Sequence, residues 1–192
     1  MMRRLLLFLC IFHLAICRRT KRLYLMDTDF ALFKLEHHQF SIYAEERDNL
    51  VYQIESNNFS SANILAYPSK QIVGKLQHHA YGKEIEVAVE VFDNQTQRWQ
   101  KGEMVYTPLG WLNDKVDIEW NGQALKYIRQ PDEVSGAFFK PPDTVLAELQ
   151  CLSHRRRAEY EVEIYSNEIP DPAYLLFIAA LTEIIRPSGK GK

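Results

Sequence analysis

The most constraining feature of this chain is an almost uniformly apolar segment near its C-terminus, Ala173 to Ile185, which only Thr182 and Glu183 interrupt. The preceding Asp171-Pro172 pair predicts where a helix begins, because Asp accepts hydrogen bonds from free backbone N–H groups and Pro fits the first turn. At ~1.5 Å per residue this helix spans roughly 20 Å, whereas the hydrocarbon core of a bilayer is ~30 Å thick. A helix without a polar face has no side for water, so we expect protein to surround it.

Most of the chain before this helix has the hydrophobic period of β-strands. Apolar and charged side chains alternate along 115–120 and 84–91, which is typical of strands with one buried face. Asn121-Gly122 suits a two-residue type I′ turn and predicts a hairpin between 115–120 and 123–129. The other predicted strands are Ala31–Leu35, Phe40–Ala44, Leu50–Ile54, Asn63–Tyr67, Ile72–His78, Met104–Thr107, Thr144–Cys151 and Glu159–Tyr165.

Strands that begin about every ten residues, without amphipathic helices between them, indicate an antiparallel barrel or sandwich. A sandwich core about 10 Å thick is filled by its own side chains and leaves no room for an apolar helix. A barrel of more than about eight strands has that room. The fold prediction is therefore mainly β, a closed antiparallel barrel of about 12 strands around a buried hydrophobic C-terminal helix.

Composition limits the classes of function. A formal net charge of −2 for 192 residues provides no global basic field, so we expect no nucleic acid as partner. Of the three cysteines, Cys10 and Cys17 lie in the apolar N-terminal run and Cys151 lies far from them, so no disulfide framework is predicted. Stability must come from packing.

The N-terminal residues 1–26 are predicted to be a targeting or anchor-like segment. They contain six basic and no acidic residues, and the basic ones surround an apolar run from Leu5 to Cys17. Ala15 and Cys17 suit a secretory cleavage site, whereas the basic cluster from Arg18 to Arg22 favours a retained anchor. A third interpretation is translation from Met26. We therefore expect a membrane-associated or secretory-pathway protein if residues 1–22 are used, and a cytoplasmic one if the chain starts at Met26.

The resulting division assigns 27–187 to the barrel and 188–192 to a disordered tail. Two glycosylation sequons, at Asn58 and Asn94, matter only for a lumenal chain.

The pattern resembles the tubby C-terminal-like superfamily, in particular its LURP-one-related and phospholipid scramblase branch. Phe40 to Tyr43 followed by Leu50 to Ile54 and Asn58-Phe59-Ser60 looks like the opening hairpin of that family, and Ile72 to Leu76 like its next strand. Thr144 to Glu148, Tyr160 to Ile164 and Asp171-Pro172 before the apolar helix are similar to its closing elements. The resemblance covers about residues 30 to 187.

The resemblance implies a twelve-stranded barrel around a central helix, and a protein that is not an enzyme. It also implies binding to membrane phospholipid headgroups or to a protein partner. The chain differs from scramblases because it lacks a C-terminal span, an acidic calcium loop and a Pro-rich cysteine tract, so scrambling itself is not expected. The alternatives are a structural or protein-interaction module without a small ligand, and a lumenal enzyme.

A basic turn supplies the candidate binding site. Arg155, Arg156 and Arg157 precede the last predicted strand, and guanidinium groups bind phosphate in bidentate fashion. Lys126, Arg129 and Lys140 lie on nearby segments of sequence and complete a predicted lipid or anion site. The opposing interpretation is a solvated turn whose charges discourage edge pairing.

Other chemistry finds little support in the sequence. The pairs His37-His38 and His78-His79 point to opposite faces of a strand, so no metal site and no cofactor are predicted. Cys151 near His154 is interpreted as a buried thiol, not as a nucleophile.

Overall fold

A computed structural model describes residues 20–27, 39–56, 60–81, 84–108, 115–130, 134–153 and 159–185. These residues form twelve β-strands and one α-helix. The strands are β1 Lys21–Asp27, β2 Gln39–Tyr43, β3 Leu50–Ser56, β4 Ser61–Ala66, β5 Gln71–Tyr81, β6 Glu84–Asp93, β7 Arg98–Thr107, β8 Lys115–Trp120, β9 Gln123–Arg129, β10 Gly136–Lys140, β11 Thr144–Ser153 and β12 Glu159–Ile164, and the helix is α1, Asp171–Ile185.

The strands form one closed antiparallel barrel. Each strand pairs with its neighbours in sequence, and β1 closes the barrel because it pairs with β2 on one side and with β12 on the other. A closed barrel has no unpaired sheet edge, so backbone groups of the described strands find partners within the wall. The predicted barrel of about 12 strands is confirmed.

Helix α1 fills the interior of the barrel, as predicted. Its residues from Ala173 to Leu181 are all buried. The ring of Phe177 lies edge-on to Trp120 of β8 at 6.3 Å between centroids, and Tyr174 lies edge-on to Phe138 of β10 at 5.3 Å. Among the described residues, no helix has both the length and the hydropathy of a transmembrane span.

A glycine lets the helix approach the wall on the side of β5. A Cβ atom on Gly74 would lie 3.0 Å from Leu176 Cδ1 and 2.6 Å from Ile64 Cγ2, so a larger residue would push the helix away. Tyr174 and Thr182 both carry buried hydroxyl groups on the helix, and Thr182 Oγ1 donates to the Ala179 carbonyl at 2.7 Å. The polar interruption of the apolar segment is therefore satisfied locally.

The barrel has two ends, which we name by the helix. The upper end holds Asp171, where α1 begins, together with Lys21 at the start of β1. The lower end holds the last turn of α1, where Glu183 lies beside His78 of β5. The β8–β9 hairpin turns at the upper end, and its central residues Asn121 and Gly122 have φ of 49° and 77°. This is the geometry that the Asn-Gly pair predicts.

The predicted boundary at residue 27 is wrong, because the barrel already begins at Lys21. Strand β1 contains the completely buried Leu23 and Leu25, so residues 21–26 are part of the domain and not only of a targeting segment. Residues 21–26 do not alternate in polarity, because the apolar Leu23, Tyr24 and Leu25 are consecutive and follow basic residues. Strand β10 was also missed, since its sequence GAFFK does not alternate. The predicted strand Ala31–Leu35 and the tail 188–192 lie outside the described residues.

Charged side chains attach β1 to three parts of the fold. Lys21 pairs with Asp171 at the start of α1, and Arg22 Nη2 lies 3.4 Å from Glu163 Oε1 of β12. Arg47, in the turn between β2 and β3, stacks over the Tyr24 ring at 4.2 Å. These contacts reinforce the pairing of β1 with β12 on one side and with β2 on the other.

Candidate functional site

The three arginines of the predicted anion site, Arg155, Arg156 and Arg157, lie outside the described residues. The residues on either side of the segment, Ser153 and Glu159, are at the lower end of the barrel, where β11 ends and β12 begins.

The structure does not bring Lys126, Arg129 and Lys140 together. Lys126 is exposed on the outer wall of β9, and Arg129 is half-buried at the lower end of the same strand, where it lines a groove of the outer wall. Lys140 ends β10 at the upper end, where it pairs with Glu168. Strand β11 runs from Thr144 at the upper end to Ser153 at the lower end. At a rise of ~3.3 Å per residue the strand is about 30 Å long, so Lys140 and Ser153 lie about that far apart. One phosphate cannot reach both.

The outer wall of β9 to β12 contains a groove of about 560 Å³ with an acidic lining. Glu148, Glu161 and Glu163 line it together with Arg129 and the apolar Ile128 and Phe139. With Arg22 beside Glu161 and Glu163, three carboxylates face two guanidinium groups, so the groove lacks the excess of positive charge that would attract a phosphate.

Hydrogen bonds hold two of these carboxylates in place. The Tyr165 hydroxyl lies 3.0 Å from Glu148 Oε2 and 3.1 Å from Glu163 Oε2, and its single proton is shared between them. Burial raises the pKa of Tyr165, and the hydrogen bonds to Glu148 and Glu163 raise it further. The phenol therefore remains a donor over the physiological pH range.

A second recess, of about 400 Å³, lies at the upper mouth of the barrel above the start of α1. Asp171 there pairs with Lys21. Asp93 accepts from Thr96 Oγ1 at 2.7 Å, from the Gln95 backbone N–H at 2.8 Å and from Gln100 Nε2 at 2.6 Å.

The hydrogen bond from Thr96, then that from the Gln95 backbone, lowers the pKa of Asp93. Burial raises the pKa of Tyr52 in the same recess to about 12, with Asp171 as the second cause. The carboxylates of the mouth are thus compensated by the fold itself.

At the lower end, His78 Nε2 lies 3.7 Å from Glu183 Oε2. Burial lowers the pKa of His78, and the neighbouring His79 lowers it further. His78 is half-buried and His79 exposed, so the two rings point to opposite faces as predicted. The pair His37-His38 lies outside the described residues.

Cys151 was predicted to be a buried core thiol, and in the structure it is half-buried and packs against the core. Its sulfur lies 3.6 Å from the Ser153 carbonyl oxygen, and its backbone N–H donates to Ser135 Oγ at 2.9 Å. Within the described part of the chain, no three His, Cys, Asp or Glu residues are placed to hold a metal ion.

Four large apolar side chains that the sequence does not single out as exposed lie at the surface of the described strands: Ile72, Trp99, Ile128 and Leu152. Trp99 occupies a position that alternates with the core-facing Met104 and Tyr106 of the same strand and shares the outer face with Lys101. A tryptophan at a polar-face position is a signal that the sequence already contained, since outer-face residues are expected to be polar.

Comparison with protein-family models, with curated proteins and with solved structures finds no match for this chain in any of the three.

Proposed function

We propose that this chain is a non-catalytic barrel of the tubby C-terminal-like type, related to the LURP-one-related branch, and that it binds phospholipid headgroups at a membrane surface. The observation that supports this proposal most is the filled interior. Helix α1 occupies the space in which a barrel of this size could hold a substrate, and its residues from Ala173 to Leu181 are buried. Binding then falls to the outer wall and the loops.

The twelve-stranded closure around a C-terminal helix is the architecture that the resemblance predicted. The recesses of the described surface also favour binding over catalysis. Their carboxylates are paired with Lys21 or hydrogen-bonded by Tyr165 and Thr96. General acid–base catalysis uses a group within reach of a substrate proton, whereas these carboxylates already have hydrogen-bond or ion-pair partners in the fold.

Vesicle sedimentation tests the proposal. The full chain should sediment with vesicles that contain an anionic phospholipid, less with phosphatidylcholine alone, and less again at high salt, because headgroup attraction is screened. If the chain stays in the supernatant with vesicles of every lipid composition, lipid binding is refuted. A protein-interaction module is then the better-supported function.

A variant in which Arg155, Arg156 and Arg157 are all Ala examines the predicted basic turn separately. If these arginines bind phosphate, the variant should lose most of the anionic-vesicle binding. Unchanged sedimentation would reject the turn as a site.

A further inference from the structure

Large apolar side chains are exposed on the outer wall of β5, β6 and β7. Trp99 is 44% exposed and Ile72 is 45% exposed. Phe92 of β6 is opposite Trp99 in register, and the two rings meet edge-on at 5.7 Å between centroids. Ile72 belongs to the next strand and lies two residues before Gly74, which pairs with Val91. The three apolar side chains are thus carried by three adjacent strands near the upper end.

Lysines surround these apolar side chains. The register aligns Lys75 of β5, Glu90 of β6 and Lys101 of β7 in one row across the wall. Lys75 Nζ lies 5.5 Å from the centre of the Trp99 ring, and Lys101 Nζ lies 2.9 Å from Glu90 Oε1. Lys70 is exposed in the turn before β5. We call Ile72, Lys75, Phe92, Trp99 and Lys101 the aromatic–lysine surface.

The chemistry of this surface matches an anionic bilayer. Tryptophan partitions to the boundary between headgroups and acyl chains, because its ring is apolar and its N–H needs a polar partner. Lysine stems can lie along apolar surface while the ammonium group reaches lipid phosphate. Lys70, Lys75 and Lys101 outnumber the carboxylates of Glu90 and Glu103 on this wall, so the local charge favours anionic lipid.

The opposite combination occurs elsewhere on the same barrel. Ile128 of β9 is 58% exposed, yet the groove beside it carries Glu148, Glu161 and Glu163. That wall offers apolar area without an excess of positive charge, since its three carboxylates outnumber Arg22 and Arg129. The aromatic–lysine surface differs from it in charge and in having Trp99 as the exposed residue.

We propose that the aromatic–lysine surface is the face that contacts an anionic phospholipid membrane, with Trp99 and Ile72 at the level of the headgroups and Lys75 and Lys101 on lipid phosphates. The inference rests on the proposed function and deepens it by naming the contact surface. Because β-strands hold these side chains, little ordering is needed on binding. Glu103, two residues beyond Lys101, bounds the positive area toward the lower end.

Sedimentation of matched variants tests the surface. Vesicles of phosphatidylcholine mixed with phosphatidylserine are titrated against the full chain, against Trp99→Ser and Lys101→Gln, and against the controls Ile128→Ser and Lys115→Gln. Loss of one lysine should weaken binding about fivefold, and loss of the tryptophan at least as much. The controls remove the same kinds of group from β9 and β8, and should bind like the full chain.

Tryptophan fluorescence identifies the contacting face directly. The chain contains three tryptophans, and Trp120 is buried in the barrel. Trp111, which lies outside the described residues, is replaced by Phe in every sample, so a change on binding reports Trp99. Addition of anionic vesicles should shift its emission to the blue, and brominated lipid should quench it.

Failure of this inference can be distinguished from failure of the proposed function. If the full chain binds anionic vesicles while Trp99→Ser and Lys101→Gln bind equally well and Trp99 is not quenched, the surface is wrong and lipid binding stands. If the full chain binds no vesicle at all, both are refuted. Capture of an acidic peptide instead, with no vesicle binding, would also overturn the membrane assignment.

Discussion

A chain that starts at Met26 should fail to form the stable barrel, whereas a chain that starts at Arg18 should fold. Both lack the apolar run from Leu5 to Cys17, but only the shorter one loses the main part of β1. Without residues 21–25, β12 loses its partner along Lys21–Leu25 and β2 loses Tyr24 and Leu25. The barrel then has two open edges, which expose unpaired backbone groups and invite association.

The structure indicates the size of the effect. Leu23 and Leu25 are completely buried, and burying each leucine contributes about 1.5–3 kcal/mol. Together they supply about 3–6 kcal/mol as an upper estimate, before any lost strand pairing is counted. A domain of this kind has a total stability of about 5–15 kcal/mol, so the loss removes a large part of it. The ion pairs of Lys21 and Arg22 are exposed and add little.

Urea denaturation followed by circular dichroism, with size-exclusion chromatography, measures the outcome. The chain from Arg18, with an added initiator Met, should be a cooperative monomer, and the chain from Met26 should be unfolded or aggregated. Leu23→Asp in the longer chain should reproduce the defect, and Lys21→Ala should not. A monomeric Met26 chain with the urea midpoint of the Arg18 chain would refute the role of β1 as the closing strand.

Two further perturbations address the core and the lower end. Phe177→Asp should unfold the barrel, because a buried unpaired carboxylate costs several kcal/mol. The control Gln77→Asp, on the exposed face of β5, should cost less than about 1 kcal/mol. Equal urea midpoints for the two variants would contradict the packing of α1. Burial keeps the pKa of His78 in the folded state below its ordinary value of about 6.5. The unfolded chain therefore binds a proton at His78 more readily than the folded chain does. The free energy of unfolding should be highest above pH ~6.5 and should decrease as the pH falls below it. Urea midpoints measured on both sides of that pH should show this dependence in wild type and in His79→Gln but not in His78→Gln, and an unchanged dependence in His78→Gln would assign it elsewhere.

The basic turn illustrates what could not be predicted for the candidate site. Lys126, Arg129 and Lys140 are close in sequence to Arg155–Arg157, yet β11 carries the chain from one end of the barrel to the other between Lys140 and Ser153. Residues that are close in sequence are therefore far apart in space when a strand of ten residues lies between them. In contrast, the register of β5, β6 and β7 brings Lys75, Phe92 and Trp99 together although they are spread over some 25 residues.

Local signals were sufficient for most of the secondary structure. The Asn121-Gly122 pair predicted a hairpin because few other residues accept φ > 0 at both turn positions, and alternation predicted β6 and β8 because a strand has two faces. Strand β1 was not predicted because residues 21–26 do not alternate and follow a basic cluster, and β10 was not predicted because Phe138-Phe139 interrupts alternation at a bulge.

The sequence by itself therefore determined that the C-terminal segment must be a buried helix and that the strands before it must enclose it, since an apolar surface on all sides leaves no other stable environment. The tertiary structure alone decided which strand closes the barrel, which outer-wall residues become neighbours, and which charges are already compensated. The physical reason is that pairing between β1 and β12 joins residues more than a hundred positions apart, and such contacts depend on the packing of the whole barrel instead of on any local pattern.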